Sequence, residues 1–156
     1  MAKATFTIKR QEMKVVMGRG LDAPRELVFK AFTVPHFIRQ WSGPRMLTTT
    51  VDKMYVRPVG VWRYVQRDHE GNECAFNGVY REIVPPERLS YTFEFEAVPG
   101  HVSIQTATFE GLDGKTKVTS TAVYYTVEDL DWMVNAGMKA GETESWGRLA
   151  GLVEKA

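Results

Sequence analysis

Apolar and polar positions alternate most regularly between Leu89 and Ala97, where Leu89, Tyr91, Phe93 and Phe95 fall on one side and Ser90, Thr92, Glu94 and Glu96 on the other. A period of two is that of a β-strand with one face buried and one wet. The same period groups Trp62 with Tyr64, and Phe76 with Gly78 and Tyr80, assignments that a bulge or a one-residue slip would invert. From Met46 to Tyr125 turn-forming residues recur at short intervals: Pro58-Val59-Gly60, Glu70-Gly71-Asn72, Pro85-Pro86-Glu87, Val98-Pro99-Gly100 and Asp113-Gly114. Short strands punctuated in this way predict an antiparallel meander of six strands. One more strand is predicted near the N-terminus, where Thr5, Phe6, Thr7, Ile8, Val15 and Val16 mix β-branched and polar types.

Helical patterning lies on either side of the meander. Asp22-Ala23-Pro24-Arg25-Glu26 supplies an acceptor side chain, a proline and an early glutamate, the usual start of a helix, with Leu27, Val28, Ala31 and Phe32 as its buried stripe. Pro35 opens a second short helix, which Trp41-Ser42-Gly43-Pro44 ends. Glu128 and Asp129 open a last segment that runs without proline to Ala156 and carries Leu130, Met133, Val134, Met138, Leu149, Leu152 and Val153. Gly137, Gly141 and Ser145 share one face of that predicted helix and leave it nearly bare, so that either the sheet approaches closely there or a cavity does. Each glycine weakens a helix by roughly 1 kcal/mol relative to alanine, which allows a local break between Gly137 and Gly141.

The predicted order is thus strand, two short helices, six strands and a long helix. A sheet of seven strands in so short a chain must curl, and the long helix is the element able to fill its concave side. The prediction is an α+β helix-grip fold: a seven-stranded curved antiparallel sheet around a long C-terminal helix, with two short helices after strand one. Its length of 156 residues suits a single domain over residues 1–156.

Charge and composition narrow the function. With 20 Lys+Arg against 19 Asp+Glu, the net charge of +1 gives no field to gather polyanions or acidic lipid, so neither nucleic acid nor membrane insertion is expected. The segment MAKATFTIKR lacks the apolar stretch of a signal peptide, and no apolar run approaches the length of a membrane span. Cys74, the sole cysteine, excludes an internal disulfide and suits a reducing compartment, so the expected location is cytoplasmic.

Catalytic and metal patterns are absent from the sequence. His36, His69, His101 and Cys74 are scattered, no G-x-S-x-G elbow exists, and Gly18-Arg19-Gly20 does not lead into a phosphate-binding helix; neither metal nor cofactor is expected. What remains is aromatic and sulfur-rich surface. The candidate cavity residues are Trp41, Met54, Trp62, Tyr64, Phe76, Tyr80, Tyr91, Phe93, Phe95, Tyr124, Met133, Met138, Gly141 and Glu142, with Trp132 and Trp146 of similar chemistry. Such side chains either fill a core or line a pocket in which Met adapts to an apolar ligand and the tips of Tyr and Trp orient it. Of the polar candidates Arg63, Asn77, Gln105, Thr106, Glu110, Ser120 and Glu142, strand register decides which point inward. Glu142, four residues from both Met138 and Trp146, is either an ordinary surface glutamate or a carboxylate whose pKa apolar neighbours raise.

Several blocks occur in an order that carries a resemblance: Asp22-Ala23-Pro24-Arg25-Glu26-Leu27-Val28-Phe29-Lys30-Ala31-Phe32-Thr33, Trp41-Ser42-Gly43-Pro44, Pro85-Pro86-Glu87-Arg88-Leu89-Ser90-Tyr91-Thr92, Gly137-Met138, then Gly141, Ser145 and Leu149. Over roughly residues 15 to 153 the chain resembles the family of activator of heat-shock-protein-90 ATPase homologues, within the START-like (SRPBCC), birch-pollen-allergen-like (Bet v 1-like) superfamily. The chain departs from the family's Asp-x-Arg-Pro-Gly-Gly pattern: Tyr55-Val56-Arg57-Pro58-Val59-Gly60 puts Tyr55 at the acidic position and keeps one glycine. The resemblance implies a domain that takes a small hydrophobic or amphipathic ligand, lipid-like or polyketide-like, and leaves a link to stress response and a homodimer open. Three functions compete: a noncatalytic binding module, a cyclase- or dehydratase-type enzyme using the same cavity, and a chaperone-interacting stress protein.

Overall fold

The computed structural model describes residues 4–155; Met1 to Lys3 and Ala156, which the predicted domain and last helix include, lie outside the described residues. The N-terminal stretch expected as one strand is two: β1 (Thr5–Lys9) and β2 (Lys14–Leu21) pair antiparallel, so among the described residues the sheet has eight strands rather than seven. The polar run Arg10–Glu12 makes one 3-10 turn, and Met13 reverses the chain at a left-handed φ of 56°. A reversal built without glycine or proline leaves no turn signature in the sequence, only a gap in the alternation.

Helices α1 (Arg25–Thr33) and α2 (Pro35–Trp41) follow. Asp22 does not cap α1: Pro24 occupies the cap, while the Asp22 carboxylate pairs with Lys115 at 3.4 Å and its backbone N–H donates to Glu154 Oε2 at 3.1 Å. The buried stripe of α1 is Val28, Phe29, Ala31 and Phe32, with Leu27 only partly buried. Phe32 packs its ring against Trp41 at 4.9 Å and Phe109 at 5.1 Å, which joins α1 to α2 and to the sheet.

The meander is β3 (Thr48–Met54), β4 (Val61–Arg67), β5 (Glu73–Val84), β6 (Arg88–Phe95), β7 (Val102–Leu112) and β8 (Lys115–Val123), and each of the five turn signals falls between two of these strands. The sheet runs β1-β2-β8-β7-β6-β5-β4-β3, all pairs antiparallel, so α1 and α2 carry the chain from β2 to the opposite edge. Curvature enters at two irregularities, between Val51 and Lys53 on β3 and between Tyr80 and Glu82 on β5.

The C-terminal segment is two helices rather than one. In α3 (Val127–Asn135), Thr126 Oγ1 caps the helix by accepting from the Asp129 N–H at 3.1 Å; α4 (Met138–Val153) starts after Gly137, whose φ of 93° belongs to the region that favours glycine. Leu149 and Val153 of α4 join Leu21, Val28, Leu89, Phe109 and Val118 in the buried core between helices and concave sheet face. Burying a side chain of this kind contributes about 1.5–3 kcal/mol. Among the described residues no helix is long and apolar enough to cross a membrane.

Candidate functional site

A cavity of about 260 Å³ lies between α4, the end of α2 and the concave face of the sheet. Strand alternation decides its sheet wall: Trp62, Tyr64 and Gln66 of β4, Phe76 and Tyr80 of β5, Leu89, Tyr91 and Phe93 of β6, Gln105 of β7 and Ser120 of β8 all point inward. Their odd-numbered or even-numbered neighbours face the other way. Arg63 and Asn77 bond Glu96 on the outer face, at 2.8 and 2.9 Å, and hold its carboxyl below the usual range. Thr106 pairs with Ser90 at 3.1 Å and Glu110 is exposed. Of the polar candidates, Gln105, Ser120 and Glu142 reach the cavity.

The bare face of the last helix has two uses. At Gly141, which lines the cavity, an added Cβ would meet nothing within 4 Å, so the glycine leaves open volume. At Ser145 the small side chain allows a close approach, to α2 rather than to the sheet: Oγ donates to the Trp41 carbonyl at 3.0 Å and accepts from the Gly43 N–H at 3.1 Å. Arg148 completes the clamp, donating to the carbonyls of Gly43 at 2.8 Å and Gln40 at 2.7 Å. These bonds fix the loop Ser42-Gly43-Pro44, which lines the cavity. Burial, and Arg45 nearby, bring the Arg148 guanidinium below its ordinary pKa.

Aromatic rings form a continuous wall. Trp62 lies 4.6 Å from Tyr64, 5.8 Å from Tyr91 and 5.9 Å from Phe93, and Phe93 lies 5.3 Å from Phe76. Trp62 fits because its cross-strand partner is Gly78: a Cβ at Gly78 would come within 1.9 Å of the Thr92 carbonyl oxygen and 2.6 Å of Trp62 Nε1. Burial raises the Tyr64 and Tyr91 hydroxyls well above their ordinary pKa and pushes Tyr80 up to about 12, so all three stay neutral hydrogen-bonding groups.

Among the described residues Glu142 is the one carboxyl on the wall, and no Lys, Arg, His or Asp lines the cavity with it. It lines the cavity yet keeps a large accessible surface, so solvent reaches the carboxyl even though protein crowds around it. Desolvation there raises its pKa from 4.5 to about 7, with no hydrogen bond or positive charge to offset it. Its charge adds to the burial that raises Tyr91 and Tyr124, which places both phenols within its electrostatic reach.

Of the fourteen candidate residues, Trp41, Trp62, Tyr64, Phe76, Tyr80, Tyr91, Phe93, Met133, Met138, Gly141 and Glu142 line this cavity. Three do not. Met54 stands behind the wall, where its Sδ accepts from the Tyr64 hydroxyl at 3.9 Å. Phe95 and Tyr124 line a second hollow of about 230 Å³ under α3, with His101, Ser103 and Trp132; Phe93 and Met133 belong to both spaces and form the partition. The one-sided alternation of β6 continues to Phe95, but the sheet carries that end past α4 to α3. The sequence reading omits Phe32, Ile38 and the Ser42–Pro44 loop, which reach the cavity through the placement of α1 and α2, and Gln66, which continues the inward face of β4. Among the described residues no cluster of three His, Cys, Asp or Glu could hold a metal ion.

No curated protein matches the chain significantly. Solved structures do. Protein Ms6760 of Mycobacterium smegmatis superposes with a TM-score of 0.88 at 20% identity, over 97% of each chain. Protein CV1439 of Chromobacterium violaceum gives 0.82 at 28% identity, over 91% of this chain and 97% of that one. The AHSA1 protein of Silicibacter pomeroyi gives 0.74 at 20% identity, over 88% and 95%. These likenesses establish the helix-grip fold. The family model for Activator of Hsp90 ATPase homolog 1-like protein matches residues 22–154, from the start of α1 through the end of α4, and so spans every element that builds the cavity. The chain belongs to the Activator of Hsp90 ATPase homolog 1-like family.

Proposed function

We propose that this protein is a noncatalytic binding module that encloses a small hydrophobic or amphipathic molecule between α4 and the sheet. The observation that carries this reading is open volume at Gly141 facing a wall of aromatic rings. Interiors normally pack to crystal-like density, and a void costs the contacts its lining forgoes, so an empty apolar cavity gains stability when a ligand fills it. Apolar burial drives binding at about 25 cal/mol per Å² removed from water, while Gln105, Ser120 and the tyrosine hydroxyls supply orientation.

Native mass spectrometry of freshly purified protein, with solvent extraction, tests this directly. A stoichiometric small-molecule adduct is expected, and Gly141→Leu is expected to remove it by filling the space the ligand occupies. Leucine in place of a helical glycine adds about 0.8 kcal/mol of helix propensity, so this variant stays folded with an equal or higher Tm. A variant that loses about 1–3 kcal/mol through overpacking instead would mean that the space is not available, and the reading would fall.

A second reading, a cyclase- or dehydratase-type enzyme, has one observation in its favour: a carboxyl that titrates near neutrality beside Tyr91 and Tyr124. It requires that the bound molecule is converted to a product and that Glu142→Gln stops the conversion; a molecule extracted unchanged after prolonged incubation favours the binding module.

A further inference from the structure

Resting on the binding reading above, we infer that the cavity selects a hydrophobic amine, a ligand whose apolar body lies on the aromatic wall while its ammonium group meets the Glu142 carboxylate. The argument is one of charge and place. Among the described residues the wall holds one group able to carry a charge at neutral pH, and it is acidic. A carboxylate or phosphate ligand would need a cation to replace its lost hydration, and the wall offers none. Arg148 donates to the carbonyls of Gln40 and Gly43, and Arg63 points through the outer face to Glu96; Arg45 and Lys139, next to Pro44 and Met138 in sequence, stand outside the wall.

The surroundings of Glu142 also suit a cation. The faces of Trp62, Tyr91 and Phe93 carry the negative part of the aromatic quadrupole, and Trp62 is central to the cluster, within 6 Å of both neighbours. Glu142 sits on α4 across from that cluster, next to the open space at Gly141. The cavity has room for an amine of about one or two fused rings, and an ammonium there would receive the counter-charge that Glu142 lacks in the protein alone. A neutral alcohol of equal size gains the apolar contacts without the ion pair, and an anion of that size meets only repulsion from Glu142.

The test uses three probes of one shape, 1-naphthylmethylamine, 1-naphthylmethanol and 1-naphthoate, titrated calorimetrically against wild type and Glu142→Gln at pH 8. For wild type the amine is expected to bind roughly ten- to a hundredfold more tightly than the alcohol, the size of one charge-assisted contact, with naphthoate weakest. In Glu142→Gln the amine advantage is expected to collapse to within about threefold while alcohol binding persists, which also shows that the variant is folded. Equal amine and alcohol affinity in wild type, or an advantage that survives Glu142→Gln, overturns the charge assignment and leaves the binding module standing. Failure of all three probes to bind wild type overturns the binding module itself.

Discussion

Glu142 makes stability depend on pH in a direction opposite to that of Glu82, Glu96 and Asp131. Its folded-state pKa of about 7 lies above the ordinary 4.5, so the native state holds the proton more tightly than the unfolded chain does. The stabilisation is complete below pH 4.5 and is lost as pH rises through 7, where the native protein must carry a desolvated charge that the unfolded chain solvates freely. The full difference between those two values corresponds to about 3 kcal/mol at 1.36 kcal/mol per pH unit. Solvent reaching the carboxyl through the cavity screens it, and the realised effect is about 1–2 kcal/mol. Glu82, Glu96 and Asp131 act in the reverse sense: hydrogen bonds from Arg88, Arg63 and Arg10 hold them low, so their contribution is present above ordinary carboxyl pKa values and fades only in acid. Urea denaturation followed by tryptophan fluorescence at pH 5 to 9, on wild type and Glu142→Gln in parallel, separates the two. The difference between the proteins is expected to shift by about 1–2 kcal/mol in favour of the glutamine variant between pH 5 and 8.5, centred on the Glu142 pKa of about 7. Parallel profiles across that range would refute the desolvation argument, and with it the view of Glu142 as a carboxyl whose charge the cavity wall penalises.

Two other substitutions probe the frame around the cavity. Ser145→Ala strands the Trp41 carbonyl and the Gly43 N–H in a buried contact and is expected to cost about 2–3 kcal/mol, read as a lower urea midpoint at unchanged m-value; a loss under about 0.5 kcal/mol would mean that Arg148 alone holds the α2 loop. Val59→Gly acts at an exposed β-branched residue held at a φ of 69°, where the family pattern has glycine; relief of left-handed strain of about 1–2 kcal/mol, less the unfolded-state entropy of glycine, is expected to raise stability by about 0.5–1 kcal/mol, and a lower Tm would contradict it.

The legible parts of the fold are those that local chemistry decides. Asp113-Gly114 turns between β7 and β8 because its residues take φ of 52° and 78°, and the other turn signals act in the same local way. Strand β6 reads correctly because one face is wet and one enclosed, so Leu89, Tyr91 and Phe93 share a side whatever the neighbours do. The split of the N-terminal strand at Met13 is illegible for the converse reason: its left-handed turn is imposed by pairing of β1 with β2 and involves no residue that prefers it. Asp22 likewise has the side chain of a cap but is claimed by Lys115 from β8, a tertiary contact that residue spacing cannot contain.

Glu142 marks the boundary between these two kinds of information. Helical periodicity sets it four residues from Met138 and from Trp146, on the inward face of α4, whereas the usual surface preference of glutamate assigns it to solvent. Both hold, because Glu142 lines the cavity and keeps a large accessible surface while Gly141 beside it withholds the side chain that would otherwise close the space, and the turn at Gly137 starts α4 as a separate helix. Gly141 thus leaves volume beside the carboxyl, and its loss of helix propensity, about 1 kcal/mol, is offset by the tertiary clamp of Ser145 and Arg148 further along α4. A helix optimised for stability would carry alanine or leucine at position 141 and would give up the open space beside Glu142.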